Sequence, residues 1–194
     1  MITTDQVKEL RNKTGVSIMQ CKKALEDAGG DAEKALVLLK KKGVEIAGKK
    51  SDRTLDAGVI ASYIHSNGTI GALVELWCET DFVAKNEEFK ALAKDIAMQV
   101  TAANPEFLSM SDVDEKAKEK AREVFAKEVE GKPEGMKESI LDGKLSAYFK
   151  DMVLLEQSFI KNGDHTVAEM LSNAVQKFGE KIEIGRFARF TTTR

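Results

Sequence analysis

Residues 75–86 have the sequence ELWCETDFVAKN, in which an alternating apolar segment gives way to an acid followed by an aromatic residue. The alternation predicts a strand, and a helical region is predicted to begin where Asp81 and Phe82 lie. This pair is unusual there, because turns favour small polar residues over a large ring that gains free energy from burial. Two interpretations follow. Asp81 caps a helix while Phe82 folds onto the core, which is the commoner outcome, or both side chains project toward a partner.

The residues before this stretch predict a β-hairpin. Apolar segments flank Asn67-Gly68, the strongest short signal for a hairpin turn. A two-residue loop places Tyr63 opposite Ala72 and builds one continuous apolar face. We expect the carboxy-terminal segment or a second subunit to cover the mixed opposite face, which carries Ile60, Ser62, Ile64, Leu73, Glu75 and Trp77. The hairpin therefore delivers residues 80–83 to its far end on a rigid support.

The first 43 residues predict three short helices that end at glycines, namely at Gly15, at Gly29-Gly30 and at Gly43. Thr3 and Asp31 are expected to cap two of them at the amino terminus. Apolar residues at helical spacing supply a small core for this bundle.

A basic segment over residues 40–53 follows, with glycines but without aromatic residues. An RNA-binding patch would interleave aromatic residues for base stacking, so a solvated linker is favoured by roughly four to one. The sequence thus predicts two domains, residues 1–52 with the bundle and linker, and residues 53–194 with the core.

The rest of the second domain is predicted to be mixed. Its expected elements are a helix capped by Asn86, a helical hairpin over 112–149, a strand over 153–160, a helix from Thr166 to Gly179 and a last strand over 182–191.

Composition favours a globular chain with a specific protein partner. Charged residues make up 32% of the sequence, yet the formal net charge is -2, which argues against broad attraction to nucleic acid or anionic membranes. The two cysteines lie far apart in apolar contexts, so we expect neither a disulfide nor a metal site. Without a leader pattern or an apolar run of about 20 residues, the expected location is the cytoplasm.

Several motifs occur together in one order. TDFVAKN at 80–86 is preceded by LRNKTG at 10–15 and CKKAL at 21–25, and followed by NPEF at 104–107, GKPE at 131–134 and LLEQ at 154–157. In this order they resemble the elongation factor Ts family, the guanine-nucleotide exchange factors of elongation factor Tu. The similarity covers nearly the whole chain, and two of the motifs are specific and independent of each other.

The resemblance implies an α+β fold: an amino-terminal three-helix bundle like a ubiquitin-associated domain, then a linker, then a core domain with a small antiparallel sheet packed against helices and a helical hairpin. It also implies a protein that is not an enzyme and carries no cofactor of its own, since it acts on the Mg²⁺ and GDP bound to elongation factor Tu. A factor that binds the empty partner more tightly than the GDP form must lower GDP affinity by linkage.

The resemblance further implies which residues meet elongation factor Tu. Phe82 and Asp81 would insert near the Mg²⁺ site of the partner and disturb the groups that hold the metal. The full set of candidate contact residues is Thr80, Asp81, Phe82, Val83, Arg11, Ile18, Met19, Lys22, Ile70, Gly71 and Gln99.

Six positions depart from the family pattern, two of them being Val16 and Ser17, where Ala-Gly is common. Ile18 replaces one of two methionines, and Gln99 stands where a histidine often occurs, which preserves hydrogen bonding but not charge. Trp77 occupies a position that is more often asparagine. Gly185 replaces a frequent arginine, and we expect this change to loosen the last strand. Short family members resemble halves of a symmetric homodimer in which each partner molecule touches both chains, so a dimer is expected.

Two other classes of function compete with this interpretation. A hydrolase or transferase would combine Asp81 and Glu79 with His65 or His165, but the sequence has no phosphate-binding loop, nucleophile elbow or paired metal-ligand spacing. An adaptor built on the amino-terminal bundle would leave the motif at 80–86 unexplained.

Overall fold

The computed structural model describes residues 2–131 and 133–192, and it confirms an α+β fold. Its helices are α1 (Thr4–Thr14), α2 (Ile18–Asp27), α3 (Ala32–Lys49), α4 (Asp81–Ala84), α5 (Glu87–Ala103), α6 (Glu115–Glu128), α7 (Glu134–Met152) and α8 (Val167–Phe178). Its strands are β1 (Ala57–Ile64), β2 (Ile70–Cys78), β3 (Ser158–Phe159), β4 (Asn162–Thr166) and β5 (Ile182–Thr191). Short 3-10 turns lie at Met110–Asp112 and Leu154–Glu156.

The central sheet has three antiparallel strands in the order β1-β2-β5. The predicted hairpin register is confirmed, with Tyr63 opposite Ala72. Gly68 adopts φ 69°, a left-handed conformation that a tight hairpin turn requires and that glycine tolerates without strain. The last strand spans the predicted residues and pairs with β2 from Ile70↔Thr191 to Cys78↔Ile182, with an irregularity between Val74 and Leu76.

One face of this sheet carries the main core. Helices α5 and α8 supply the apolar residues that cover it, because their buried side chains recur at helical spacing. Phe89 at the start of α5 is fully buried and meets Phe178 of α8 edge to face, with ring centroids 6.0 Å apart. The largest other fully buried members are Leu76, Ile96, Leu154, Val74, Val100 and Val167.

The expectation that the carboxy-terminal segment covers the opposite sheet face is wrong. β5 joins the edge of the sheet beside β2 and leaves the outer face open, with Ile60 72% and Ile64 69% exposed. The hairpin leaves the edge of β2 that faces away from β1 without a strand partner. Pairing with β5 satisfies the backbone N–H and C=O groups along that edge.

The first helices are capped as predicted. Thr3 and Gln6 form a capping box, Asp31 accepts hydrogen bonds from the Glu33 and Lys34 amides, and Gly15 ends α1 in a left-handed conformation. A small separate core lies among α1, α2 and α3, and its members are Val7, Leu10, Val16, Cys21, Ala24, Leu25, Ala35 and Leu39.

Two predictions about α3 are wrong. Gly43 does not end the helix, and residues 40–49 are helical rather than linker. Gly43 instead permits close packing on α8, since a Cβ there would lie 3.3 Å from Gln176 Oε1 and 3.5 Å from the Ser172 carbonyl oxygen. Farther along α3, Ile46 packs against the main core, so tertiary contacts stabilise a helix that its glycines weaken.

The predicted strand over 153–160 is confirmed only at Ser158–Phe159, which form β3, and is wrong for the residues before them. Val153 and Leu154 are both fully buried, but Val153 faces a third core beside α6 and α7, whereas Leu154 belongs to the main core. The Leu154 amide donates to the carbonyl of Phe107, so this segment pairs with residues 107–108 and forms a 3-10 turn. Its continuous apolar run reflects burial on two sides rather than a long strand.

The remaining helices match the prediction, whereas the strand β4 was not predicted. Helices α6 and α7 form a helical hairpin, and Thr166 and Glu169 form the capping box of α8, which ends at Gly179. Over the described residues, no helix is long and apolar enough to cross a membrane.

Candidate partner-binding tip

The sheet ends in an exposed turn that we call the tip, residues 80–85. Thr80 is the amino-terminal cap of α4, and its hydroxyl accepts from the Val83 amide. Asp81 therefore follows the cap rather than forming it. Phe82 is 80% exposed and does not fold onto the core, so the commoner of the two initial interpretations is wrong for this chain.

The residues after Phe82 anchor the tip. Val83 and Ala84 are buried in the main core, and Asn86 caps α5 by accepting from the Glu88 amide at 2.8 Å. The tip is thus tied to the core on one side while Phe82 points into solvent on the other. Val83 was predicted to meet the partner, but in this conformation its side chain supports the tip from within.

Charge at the tip is balanced locally. Lys85 Nζ lies 2.5 Å from Asp81 Oδ2, one helical turn apart. This hydrogen bond and the positive charge of Lys85 lower the pKa of Asp81 below its ordinary value, so the carboxylate is ionised at neutral pH. Both side chains are largely exposed, and such a pair contributes little to stability.

The carboxylates of Glu79 and Glu180 accept hydrogen bonds from the backbone where β2 leads into the tip. We call these two residues the carboxylate clamp. Glu180 accepts from the Glu79 and Thr80 amides at 3.1 and 3.0 Å and from the Thr80 hydroxyl at 2.6 Å. Glu79 in turn accepts from the Lys181 amide at 2.6 Å and from Arg53 Nη1 at 3.0 Å. Sequence reasoning missed Glu180, because only the Cys78↔Ile182 pairing brings it to the tip.

Cys78 reinforces the same turn. Its buried thiol donates to the Thr80 carbonyl oxygen at 3.2 Å. Burial, followed by the nearby negative charge of Glu180, raises the pKa of this thiol to about 11. The thiol is therefore protonated at neutral pH and can donate, as an unreactive structural cysteine does.

A second exposed apolar pair begins α2. Ile18 is 55% and Met19 75% exposed, while the Ser17 hydroxyl caps the helix. The two predicted cationic residues nearby, Arg11 and Lys22, are also exposed, and Lys22 lies 3.8 Å from Glu26. These four residues share the amino-terminal bundle and lie outside its buried core.

Contacts through α8 connect the bundle to the base of the tip. A Cβ on Gly15 would lie 3.6 Å from the Lys177 side chain, and Lys177 Nζ lies 2.9 Å from Glu88 Oε2 at the start of α5. Gln176 also donates to Gln20 at 2.5 Å. The start of α2 and the tip therefore lie toward the same end of the molecule.

The other predicted contact residues lie elsewhere. Ile70 and Gly71 are half-buried at the start of β2, beside the hairpin turn and opposite Thr191 and Phe190. Gln99 is fully buried in α5. It donates to Gln157 Oε1 and the Ser158 carbonyl oxygen and accepts from the Ile160 amide at 2.9 Å, so in this conformation it secures β3 rather than facing a partner.

The residues of the rival hydrolase do not converge. His65 lies by the hairpin turn near the Tyr63 hydroxyl, at the end of the sheet opposite to Asp81. His165 lies in β4, 3.5 Å from Glu169. Within residues 2–131 and 133–192, no group of three or more histidine, cysteine, aspartate or glutamate side chains could hold a metal ion.

Fold and site together define an α+β protein whose candidate site is a projecting surface, an acid and an aromatic ring at the end of an antiparallel sheet. The family model described as "Elongation factor TS" matches residues 44–194. A protein of Carboxydothermus hydrogenoformans named Elongation factor Ts is 50% identical over 192 residues, which cover 98% of this chain and 88% of that protein. A protein of Thermodesulfovibrio yellowstonii with the same name is 48% identical over 190 residues, covering 97% and 95%. The chain belongs to the elongation factor Ts family.

Proposed function

We propose that this protein binds elongation factor Tu in its GDP form and promotes GDP release by inserting Phe82 and Asp81 near the Mg²⁺ site of that partner. Family membership supports elongation factor Tu as the partner and nucleotide exchange as the role. The exposure of the Phe82 side chain is the observation that supports the insertion mechanism. The protein acts in the cytoplasm, without enzyme chemistry or a cofactor of its own, on the Mg²⁺ and GDP that its partner holds.

An exposed phenyl ring gains free energy when a complex buries it. Phe82 has most of its surface in water, whereas buried aromatic anchors at interfaces commonly contribute 2 kcal/mol or more, roughly thirtyfold in affinity. If the ring is buried only against the nucleotide-free partner, its whole contribution to the binding free energy lowers the affinity of that partner for GDP by linkage.

Asp81 adds charge to the same insertion. Its lowered pKa means that it enters as a carboxylate, and a negative charge near a bound Mg²⁺ alters the electrostatics of that site. Lys85 must then stay paired with Asp81 or pair with another group. The ion pair therefore limits how much the Asp81 charge weakens Mg²⁺ and GDP binding by the partner.

A second contact is proposed at the start of α2. Ile18 and Met19 offer exposed apolar surface, and Arg11 and Lys22 flank it with positive charge. Because this surface lies toward the same end of the molecule as the tip, one partner can engage both. We assign Val83 and Gln99 supporting roles within the chain, and Ile70 and Gly71 remain proposed contacts for a partner bound to the other protomer of a dimer.

Release of a fluorescent GDP analogue from purified elongation factor Tu tests the proposal. The parent protein should accelerate release strongly, and Phe82→Ala should reduce that acceleration about thirtyfold or more. Asp81→Asn keeps the size of the side chain and should cost less. Ile160→Ala is the matched control, because it also truncates an exposed apolar side chain but at the β3–β4 turn.

Two results would contradict the proposal in different ways. A parent protein that leaves GDP release unchanged would exclude the exchange function. Full acceleration by both tip variants would retain the function but exclude the tip as its site.

We further propose that two chains associate through the outer face of the sheet. Ile60, Ile64, Leu73 and Trp77 form an exposed apolar surface there, and a two-fold axis would place each surface against its copy. The Arg186 Nε to Glu75 Oε1 pair, at 2.6 Å, neutralises the charge on this face.

Sedimentation velocity over a range of concentrations tests this association. Ile60→Glu should shift the protein toward monomer, because it places a charge in an apolar interface. Val124→Glu introduces the same change at an exposed position on α6 and should leave the mass unchanged. A parent protein that is monomeric at micromolar concentration would refute the dimer.

A further inference from the structure

We propose that Glu180 is a positioning residue for the exchange reaction, which fixes Phe82 for insertion through the backbone of Glu79 and Thr80. This inference rests on the proposed function. Glu180 acts through the hydrogen bonds that it accepts from the Glu79 and Thr80 amides and from the Thr80 hydroxyl, and these bonds define the turn just before Phe82.

The sheet pairing explains why Glu180 is there. The β2–β5 ladder ends at Cys78↔Ile182, and the same antiparallel register continued by two residues sets position 180 opposite Thr80. Gly179 ends α8 in a left-handed conformation, at φ 73°, which lets the chain turn from the helix into β5 with Glu180 at the junction.

Beyond the end of the ladder, side-chain carboxylates replace backbone carbonyls as acceptors. The amides of Glu79 and Thr80 would lack a strand partner, and Glu180 Oε2 accepts from both. On the other strand, the Lys181 amide donates to Glu79 Oε1. The two sets of hydrogen bonds are reciprocal: Glu180 binds the backbone of the segment that carries Glu79, and Glu79 binds the backbone of the segment that carries Glu180.

The Thr80 hydroxyl transmits this arrangement to α4. It has one proton, which it donates to Glu180 Oε1 at 2.6 Å, and this leaves its lone pairs free to accept from the Val83 amide at 3.4 Å. α4 has four residues and cannot be stable as an isolated helix. Val83 and Ala84 anchor the second half of α4 in the main core, so the orientation of its first half, which carries Phe82, depends on the cap that Glu180 holds.

Phe82 depends on a rigid turn because few neighbours pack against an 80% exposed ring. A buried ring is positioned by its neighbours, but an exposed ring is positioned by its backbone alone. Misplacement of an interacting group by about 1 Å can cost as much as a hundredfold in rate. Loosening the turn should therefore impair exchange even though Phe82 itself is intact.

Repulsion between the two carboxylates is offset locally. Arg53 Nη1 lies 3.1 and 3.0 Å from the two Glu79 oxygens, and Lys181 Nζ donates to the Ser51 carbonyl oxygen on the same side. The segment after α3, the end of β2 and the start of β5 thus converge at the clamp.

The exchange assay described above tests this inference with Glu180→Ala and the matched control Glu183→Ala. Glu183 is an exposed carboxylate three residues along, 3.2 Å from Lys181, and does not contact the tip. We expect Glu180→Ala to reduce acceleration of GDP release about tenfold to a hundredfold, and Glu183→Ala to leave it unchanged. Circular dichroism and thermal unfolding establish that both variants are folded.

A double variant separates positioning from a general loss of stability. If Glu180 acts mainly through Phe82, Glu180→Ala should reduce exchange far less in the Phe82→Ala background than in the parent, by no more than the smaller contribution of Asp81. If the two losses multiply instead, or if Glu180→Ala alone retains full acceleration, the inference is wrong.

Amide hydrogen exchange provides a readout that does not depend on elongation factor Tu. In Glu180→Ala the Glu79 and Thr80 amides should exchange their hydrogens about tenfold faster or more, as expected when a hydrogen bond to a charged group is lost. Unchanged protection would overturn the inference. A parent protein without exchange activity would overturn the proposed function, while this measurement would still test the clamp.

Discussion

Phe82→Ala should remove activity without removing stability, and the contrast with Phe89 makes this prediction quantitative. Phe82 is 80% exposed, so about a fifth of its surface is buried. A phenylalanine side chain offers roughly 200 Å² for burial, and a fifth of it at about 25 cal/mol per Å² corresponds to about 1 kcal/mol at most. Alanine also has a higher helix propensity, by about 0.5 kcal/mol, which offsets part of this loss in α4.

Phe89→Ala removes a ring of the same size from the main core, seven residues farther along the chain. Phe89 is fully buried and packs edge to face against Phe178. Its truncation leaves a cavity in addition to the lost transfer free energy, and we expect a cost of about 3–5 kcal/mol.

Urea unfolding measures both variants under the same conditions. Trp77 is the one tryptophan of the sequence and lies on the outer face of the central sheet, so its fluorescence reports whether the sheet is folded, and far-UV circular dichroism provides a second probe. All proteins are compared at one concentration, because association contributes to apparent stability. A loss above about 2 kcal/mol in Phe82→Ala would refute the reasoning, since it would mean that the ring packs against the chain in solution.

Two further predictions concern the sheet and the clamp. Gly185→Ala should destabilise the fold by about 1–3 kcal/mol in urea unfolding, because the added Cβ would clash with the Trp77 indole at Nε1. The penalty should largely vanish in a Trp77→Ala background, and an equal penalty in both would contradict this account. Burial alone would raise the pKa of Glu79, but the Lys181 amide and the Arg53 guanidinium outweigh it and lower that pKa below 4.5. Its contribution to stability is therefore complete above pH 4.5 and is lost as the pH falls through the lower folded value. The difference in unfolding free energy between the parent and Arg53→Ala should accordingly shrink below about pH 4.5, and a difference that is constant from pH 7 to 3 would count against it.

Trp77 and Gly185 both depart from the family pattern, and the structure shows that the two departures are related. Considered alone, the glycine was expected to loosen the last strand. In the structure the Trp77 indole occupies the space beside Gly185 that a side chain would need, so the large residue and the small one are complementary across β2 and β5. Neither residue predicts the other until the strand register is known.

Local interactions are what the sequence by itself determined. The Asn67-Gly68 turn sets the hairpin register, and the caps at Thr3, Asp31 and Asn86 begin helices at the predicted residues. Each depends on groups within a few positions of one another, so no knowledge of the rest of the fold is needed.

Only the tertiary structure decided the features that join distant segments. α3 continues through Gly43 because α8 packs against it, and Gln99 is buried because residues 157–160 fold over it. Glu180 reaches the tip because a strand that starts about a hundred positions later pairs with β2. In each case the deciding contact joins residues that are far apart in the chain, and the free energy of burial and pairing outweighs the local preference.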